Sequence, residues 1–326
     1  MRRTTALFAA ALFAATALTA CGTSEPTSSS DASDAAAQPV SLTDGRNKKL
    51  DLKAPAAKVV ALEWGAAENL VSLGVMPVGV ADTKGYTNWV TAAKLDPSVK
   101  DVGTRGEASV DAIVALNPDL VITTTDEAAN TIAQIEKAAP VLVIRGADAA
   151  NAIPQMKTNL EMIGTAVGKA EQAKQINADF DKAVADGKQK IADAGKAGEG
   201  FTMADGYKQG STISIRMYTT GSLLGAVTTE LGLKNGWTGA GDKDYGLAQT
   251  DLEGLTKLKD GNFLYIANKN DGGDVFGGDL AGNAIWKNLP FVKSGNVHRL
   301  PDGIWMFGGP KSTEQFIDAT VQAVTS

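Results

Sequence analysis

The chain has 326 residues, with 31 Lys and Arg against 37 Asp and Glu, and a formal net charge of −6. This acidic balance argues against a nucleic-acid-binding protein, which needs a basic face. A single Cys and a single His exclude an intramolecular disulfide, a thiolate metal cage and a His-rich metal site. The length predicts about two domains.

The first 38 residues have the features of a targeting and anchoring segment. Arg2 and Arg3 precede an uncharged apolar run over residues 6–20, which is typical of a signal peptide and short for a membrane span. The run ends in Leu-Thr-Ala-Cys, which resembles a bacterial lipobox and makes Cys21 the expected lipidation site; an ordinary signal peptide with an incidental Cys is the alternative. Residues 21–38, rich in Ser, Ala and Asp, predict a flexible tether. Cleavage after residue 20 leaves 29 basic and 37 acidic residues, a charge of −8, on a protein anchored at the extracytoplasmic face of the cell membrane.

Residues 39–150 alternate short apolar strands with amphipathic helices. The predicted strands cover residues 58–62, 77–81, 119–123 and 140–144. The predicted helices cover residues 66–73, 109–116 and 132–138, the second with Ser109 as N-cap. This alternation predicts an N-terminal α/β lobe with a parallel sheet that is covered on both faces.

The remainder of the chain predicts a helical connection and a second lobe. Residues 151–196 keep a helical apolar period without any strand signal, as one long helix or two in tandem, long enough to bridge two lobes. Residues 197–326 resume the alternation, with strands at 212–218 and 262–267 and helices at 222–231, 252–258 and 312–324, the last capped by Ser312. We therefore expect an α/β fold of two Rossmann-like lobes with central parallel sheets, bridged by a single long α-helix, with a ligand cleft between the lobes.

Four segments carry a resemblance to a known family. Residues 58–90, 101–122, 221–239 and 285–310 resemble, in this order, the ferric-siderophore substrate-binding proteins of ABC importers, closest to the hydroxamate and citrate or citrate-hydroxamate branches. The resemblance implies a monomeric, lipid-anchored receptor that hands a ferric siderophore to an ABC permease, without enzymatic activity or a cofactor. Because the siderophore already wraps Fe(III) in hard oxygens, the protein is expected to supply no metal ligand itself.

Arginine is the scarcer basic residue, which makes its positions informative. Arg105 lies in a Gly-flanked loop, where a planar guanidinium suits bidentate contact with hydroxamate or carboxylate oxygens, and the resemblance implies ligand contact there. Arg216, inside an apolar strand, and Arg145, at the end of another, are further candidates, with ordinary ion pairs as the alternative. A neutral or anionic ligand would depend on such arginines, working against the overall negative charge.

Aromatic side chains in Gly-rich loops are the expected walls for the carbon skeleton of the ligand. The resemblance places ligand contacts at Trp89, Trp237, Trp305 and Phe307, although the hydroxamate branch has Tyr where Phe307 stands. That substitution removes a hydroxyl donor and argues against ferrichrome-like specificity. Further candidates for the cleft are Trp64, Tyr86 and Tyr245.

Asp111 and Glu253 occupy corresponding places in a weak internal repeat between the two halves, at the starts of helices. Solvated carboxylates at a helix start are the simpler interpretation, whereas the resemblance implies docking on the permease, one acidic residue per lobe. Two other functions stay open. A haem or cobalamin binder of the same fold is one, since the lone His298 could serve as an axial ligand; an anchored cell-envelope enzyme is the other, although no nucleophile elbow is present.

Overall fold

A computed structural model describes residues 38–210 and 212–326. The predictions for residues 1–20, Cys21 and most of the tether therefore lie outside the described residues. Within the described part, no helix is both long and apolar enough to cross a membrane.

The first lobe is built on a five-stranded parallel sheet. Its strands and helices, in chain order, are β1 (Val40–Thr43), β2 (Lys49–Leu52), β3 (Val59–Ala61), α1 (Trp64–Ser72), β4 (Gly79–Val80), α2 (Thr83–Trp89), β5 (Lys100–Asp101), β6 (Gly103–Thr104), β7 (Glu107–Ala108), α3 (Val110–Ala115), β8 (Leu120–Thr124), α4 (Ala129–Ile135) and β9 (Val141–Ile144). The sheet order is β5-β4-β3-β8-β9, with every adjacent pair parallel, and β1–β2 and β6–β7 are separate hairpins. The predicted parallel sheet is confirmed.

Both faces of this sheet are buried, which explains why its strands are continuous apolar runs instead of alternating ones. Val60 and Val121 point into one apolar cluster, while Val59, Leu120 and Ile122 point into the other. Ser109 caps α3 as expected, because its side chain accepts the backbone N–H of Ala112. The carboxyl ends of β3, β8 and β9 meet at one edge of the sheet, the usual place for a ligand in such folds.

The region between the lobes forms two helices, which is one of the two alternatives that the sequence allowed. Helix α5 (Ala152–Ala166) ends in a turn at Gly168, whose φ is +70°, and α6 (Ala170–Asp193) follows. The amides of Gly168 and Lys169 donate to the carbonyls of Thr165 and Gly164, the bonding pattern of a Schellman motif.

The two helices then run antiparallel. The side chain of Asn177 donates to Glu161, and Lys157 pairs with Asp181 at 2.7 Å between Nζ and Oδ2. Helix α6 alone, about 36 Å long at 1.5 Å per residue, carries the chain from the first lobe to the second.

The second lobe is built on a mixed sheet. Its elements are β10 (Gly200–Gln209), β11 (Thr212–Tyr218), α7 (Leu223–Glu230), β12 (Lys234–Asn235), β13 (Leu247–Thr250), a 3-10 turn (Gly254–Lys257), β14 (Asn262–Ile266), a π-helical turn (Val275–Asp279), α8 (Ala284–Asn288), α9 (Pro290–Lys293), β15 (Val297–Arg299) and α10 (Pro310–Thr325). The sheet order is β13-β11-β10-β14-β15, with β12 beside the start of β10. Strands β14 and β15 run parallel to β10, but β11 is antiparallel to both β10 and β13. The expectation of a parallel sheet therefore holds for only part of this lobe, because only two residues separate β10 from β11 in the chain, and strands with so short a connection must pair antiparallel.

The structure differs from two local predictions in this lobe. The helix expected over residues 252–258 is only a 3-10 turn. The last helix begins at Pro310 with Gly309 as N-cap, so Ser312 lies inside its first turn. There the amide and hydroxyl of Ser312 both donate to the buried carboxylate of Glu68 on α1, and burial raises the pKa of Glu68 to about 7.

Candidate ligand-binding site

A cavity of about 250 Å³ lies between the two lobes. The first lobe contributes residues at the carboxyl ends of its strands, including Glu63 after β3 and Gly146 after β9. The second lobe contributes Arg216 and Tyr218 from β11, and Phe307 from the loop before α10. The start of α5 closes one side. The cavity therefore occupies the predicted cleft, and both sheets supply its walls.

Arg105 lies at the cavity in the two-residue turn of the β6–β7 hairpin. The following Gly106 takes a φ of +78°, a conformation that glycine adopts without strain. The guanidinium stacks on the rings of Trp64 and Trp305, at 4.3 and 5.0 Å from their centroids, and its Nε donates to Oε2 of Glu63 at 3.0 Å. Burial raises the pKa of Glu63, although the charge of Arg105 opposes that shift. The turn and the two rings hold the guanidinium in one orientation.

Arg216 faces the cavity from the second lobe. It lies directly opposite Asp205 in the β10–β11 register, and its guanidinium makes a two-bond ion pair with that carboxylate. The same guanidinium lies 5.3 Å from the ring centroid of Phe307. Burial would lower the pKa of Arg216, but the ion pair with Asp205 opposes that effect, and the guanidinium keeps its charge.

Tyr218 is a cavity residue that the sequence reasoning missed. It lies two residues beyond Arg216 and therefore on the same face of β11. Its side chain is buried and its ring stacks on Phe307, with a centroid separation of 6.4 Å. Among the residues that the structure describes, its hydroxyl has no hydrogen-bond partner. Burial raises the pKa of Tyr218, so the hydroxyl stays protonated and is able to donate. The available signal was its spacing from Arg216, at the end of the same strand.

An aromatic cluster lies behind Arg105. Trp305 packs edge-on against Trp64 at 4.7 Å, Trp89 at 6.2 Å and Phe307 at 5.2 Å between ring centroids. Trp64 and Trp305 are buried, so the guanidinium of Arg105 packs on rings that are themselves fixed by the core. Of these four aromatic residues, only Phe307 lines the cavity itself.

The structure does not bring every predicted residue to the cavity. Tyr86 is fully buried and its hydroxyl donates to the carbonyl of Ala93 at 2.5 Å, which corrects the expectation of a cleft residue. Trp237 packs against the apolar cluster on another part of the second lobe and does not line the cavity, so that expectation is also wrong. Arg145 does not line the cavity itself, although the next residue, Gly146, and its ion-pair partner Asp148, at 2.7 Å, both do. Loop residues can pack onto any nearby surface, and a motif alone does not select which one.

Direct bonds join the lobes around the cavity. The hydroxyl of Tyr245, which lines the cavity, donates to the carboxylate of Asp126 in the first lobe. The indole Nε1 of Trp89 donates to Oδ2 of Asp271 at 2.7 Å, so Trp89, expected as a ligand contact, bridges the lobes at the end of α2. These two hydrogen bonds connect the lobes across the cleft.

The remaining candidates lie away from the cavity. Asp111 and Glu253 are both exposed, one in the first turn of α3 and the other just before the 3-10 turn. The Nε2 atom of His298 lies 3.0 Å from Oδ1 of Asn262, and burial lowers the pKa of His298. Within residues 38–210 and 212–326, no three His, Cys, Asp or Glu side chains are grouped to hold a metal ion.

The comparisons with known proteins agree with this architecture. A family model described as periplasmic binding protein matches residues 59–303. The chain is 29% identical over 325 residues to the probable siderophore-binding lipoprotein YfiY of Bacillus subtilis, covering 94% of each chain. It is 28% identical to the Fe(3+)-citrate-binding protein YfmC of the same species, over 79% of this chain and 77% of the relative. Among solved structures, the Fe3+–Desferal-bound siderophore binding protein FhuD from Vibrio cholerae superposes with a TM-score of 0.73, at 24% identity, over 83% of this chain and 98% of that chain. The match to the family model over most of the chain shows that this protein belongs to the periplasmic binding protein family.

Proposed function

We propose that this protein captures a ferric siderophore of hydroxamate or citrate-hydroxamate type outside the cytoplasmic membrane and delivers it to an ABC importer. It acts by binding, without turnover of the ligand and without a cofactor. The observation that carries the proposal is the cavity between the lobes, into which Arg105 and Arg216 are held from opposite sides.

The cavity chemistry suits a chelate with oxygen atoms on its outside. The two guanidinium groups can donate to hydroxamate or carboxylate oxygens, and the Tyr218 hydroxyl adds a neutral donor beside Arg216. Phe307 offers an apolar surface for the carbon skeleton. YfiY and FhuD are named as siderophore-binding proteins and YfmC as an Fe(3+)-citrate-binding protein, which supports a ferric chelate as the ligand.

Phe307 alters one expectation about specificity. The loss of a hydroxyl at this position argued against a ferrichrome-like ligand, but the Tyr218 ring stacks on Phe307 and brings a hydroxyl to the same wall of the cavity. We propose that Tyr218 replaces the missing donor.

Intrinsic tryptophan fluorescence tests the function directly, because Trp64 and Trp305 contact the guanidinium of Arg105. We expect quenching by at least one ferric hydroxamate or citrate-hydroxamate, and none by the same siderophore without iron. Haem and cobalamin are included as competing ligands. Tighter binding of haem or cobalamin than of any ferric siderophore would overturn the proposal.

The exposed carboxylates Asp111 and Glu253 are the proposed permease contacts, one per lobe. Replacing both with Lys should abolish siderophore uptake by cells while leaving ligand affinity in solution unchanged. Asp179→Lys, an exposed site on α6, is the matched control and should preserve uptake. Normal uptake by the double variant contradicts the docking role.

A further inference from the structure

The charges around the cavity indicate what net charge the ligand carries. Three arginines lie at or beside the cavity, and each is already paired with a carboxylate inside the protein. Arg105 pairs with Glu63 at 3.0 Å, Arg145 with Asp148 at 2.7 Å, and Arg216 with Asp205 through two bonds. No positive charge at the cavity is therefore left uncompensated.

Two further carboxylates leave the cavity with excess negative charge. Asp244 lines the cavity, and in the described part of the chain no Lys, Arg or His lies within salt-bridge distance of it. Asp126 does not line the cavity itself, but its carboxylate accepts hydrogen bonds from the lining residues Tyr245 and Thr124 and has no basic partner in the described part of the chain. No lysine lines the cavity among the described residues, although the chain has 24 of them.

The neighbouring loop does not reverse this balance. Asp242 and Lys243 precede Asp244 in the chain, and their opposite charges offset each other. The carboxylate of Asp242 accepts hydrogen bonds from the backbone amides of Asp244, Tyr245 and Leu247. These bonds fix the loop that carries Asp244 and Tyr245. The position of Asp244 at the cavity is therefore set by the loop geometry.

We propose that, within the proposed ligand class, the site selects neutral or cationic ferric trihydroxamates and disfavours anionic chelates, which include ferric citrate and the ferric citrate-hydroxamates. This inference rests on the proposed function, and it assigns Asp126 and Asp244 as the residues that set the charge preference. The arginines at the cavity donate hydrogen bonds to the chelate oxygens without supplying net positive charge, because each is already paired with a carboxylate of the protein. A cationic group on the ligand periphery would find its counter-charge at Asp126 and Asp244.

A ligand series that differs only in charge tests the proposal. Ferrioxamine B carries a neutral ferric trihydroxamate and one ammonium group, its N-acetyl derivative is neutral, and its N-succinyl derivative carries one negative charge. We expect affinity to fall in that order, by about five- to tenfold per unit of charge at low ionic strength and by less in high salt. Equal affinities, or tightest binding of the succinyl derivative, would overturn the proposal.

Two variants locate the effect. In the Asp126→Asn/Asp244→Asn double variant, the three affinities should converge within about twofold, since the side-chain shapes are kept and the charges removed. Asp193→Asn removes one charge at the end of α6, away from the cavity, and should keep the wild-type order. If the double variant keeps the wild-type order of affinities, Asp126 and Asp244 do not set the charge preference, and that part of the inference is overturned.

Ferric citrate separates this inference from the proposed function. If ferric citrate binds more tightly than all three trihydroxamates, the charge preference is wrong while siderophore capture still holds. If neither ferric citrate nor any trihydroxamate or citrate-hydroxamate binds, the proposed function fails, and the charge preference fails with it.

Discussion

Removal of the Arg105 side chain is the most direct test of the site. The guanidinium has one donor committed to Glu63 and is stacked on two indole rings, which leaves its terminal nitrogens for the ligand. A charge-assisted hydrogen bond contributes about 1.5–3 kcal/mol, so the loss of a two-donor contact is expected to cost about 3 kcal/mol of binding free energy. We therefore expect Arg105→Ala to raise the Kd for the preferred ferric siderophore about a hundredfold.

The fold should tolerate this change. The Arg105 side chain is 31% exposed, so screening by solvent limits its ion pair with Glu63 and its ring contacts to a total of about 1 kcal/mol. Arg46→Ala is the matched control, since Arg46 is a similarly exposed arginine that pairs with Asp44 and Glu136 away from the cavity. It should change thermal stability by a similar amount without any effect on ligand affinity.

Fluorescence titration measures both variants, with thermal unfolding as the check on folding. Arg105→Lys adds a test of geometry, because lysine keeps the charge but lacks the planar pair of donors. It should recover less than a tenth of the lost affinity. If Arg105→Ala binds within about threefold of the wild type, Arg105 does not contact the ligand and the reasoning is refuted.

Three further perturbations have defined outcomes. Tyr218→Phe should weaken ligand binding about tenfold, and adding Phe307→Tyr should recover part of the lost affinity by returning a hydroxyl to the same wall. Fluorescence titration of both variants measures this, and an unchanged affinity of Tyr218→Phe would contradict the donor role. The raised pKa of Glu68 means that the free energy of unfolding falls as pH rises from 4.5 to 7, because the folded state holds the proton more tightly. Urea unfolding at several pH values should show that Glu68→Gln removes up to about 3 kcal/mol of this pH dependence. Parallel plots of unfolding free energy against pH for the variant and the wild type would refute it. Gly168→Ala should lower the free energy of unfolding by about 1–2 kcal/mol, which is more than Gly195→Ala should. Both glycines have positive φ, but only at position 168 would the added Cβ meet Pro55, at 3.0 Å. Equal losses in the two variants would show that this contact has no effect.

Much of the first lobe could be predicted from local sequence. Its strands are apolar runs broken by Gly, Pro or Asn, and such runs are typical of a sheet buried on both faces. The turn of Arg105 was also predictable, since Gly106 follows it and permits a tight hairpin. The break in the connecting helices was less obvious, although Gly168 marks it, because the apolar period continues on both sides of the turn.

The aromatic candidates show where local reasoning fails. Tyr86 and Trp237 each have an adjacent glycine, as Phe307 and Tyr245 at the cavity do, but Tyr86 is buried in the first lobe and Trp237 packs on an apolar cluster of the second lobe. A motif records which residue types are adjacent in the chain. It does not record which surface the loop covers after folding.

The sequence by itself determined the alternation of strands and helices, the two-lobe organisation and the placement of Arg105 at a Gly-flanked turn, because these depend on short-range periodicity and backbone freedom. Only the tertiary structure decided the charge of the site. Glu63 lies 42 residues from Arg105 in the chain and Asp205 lies 11 from Arg216, and their pairing follows from strand register and lobe packing. The tertiary structure likewise revealed Asp126 beside Tyr245 and the buried hydroxyl of Tyr218, because contacts between distant segments have no local signal.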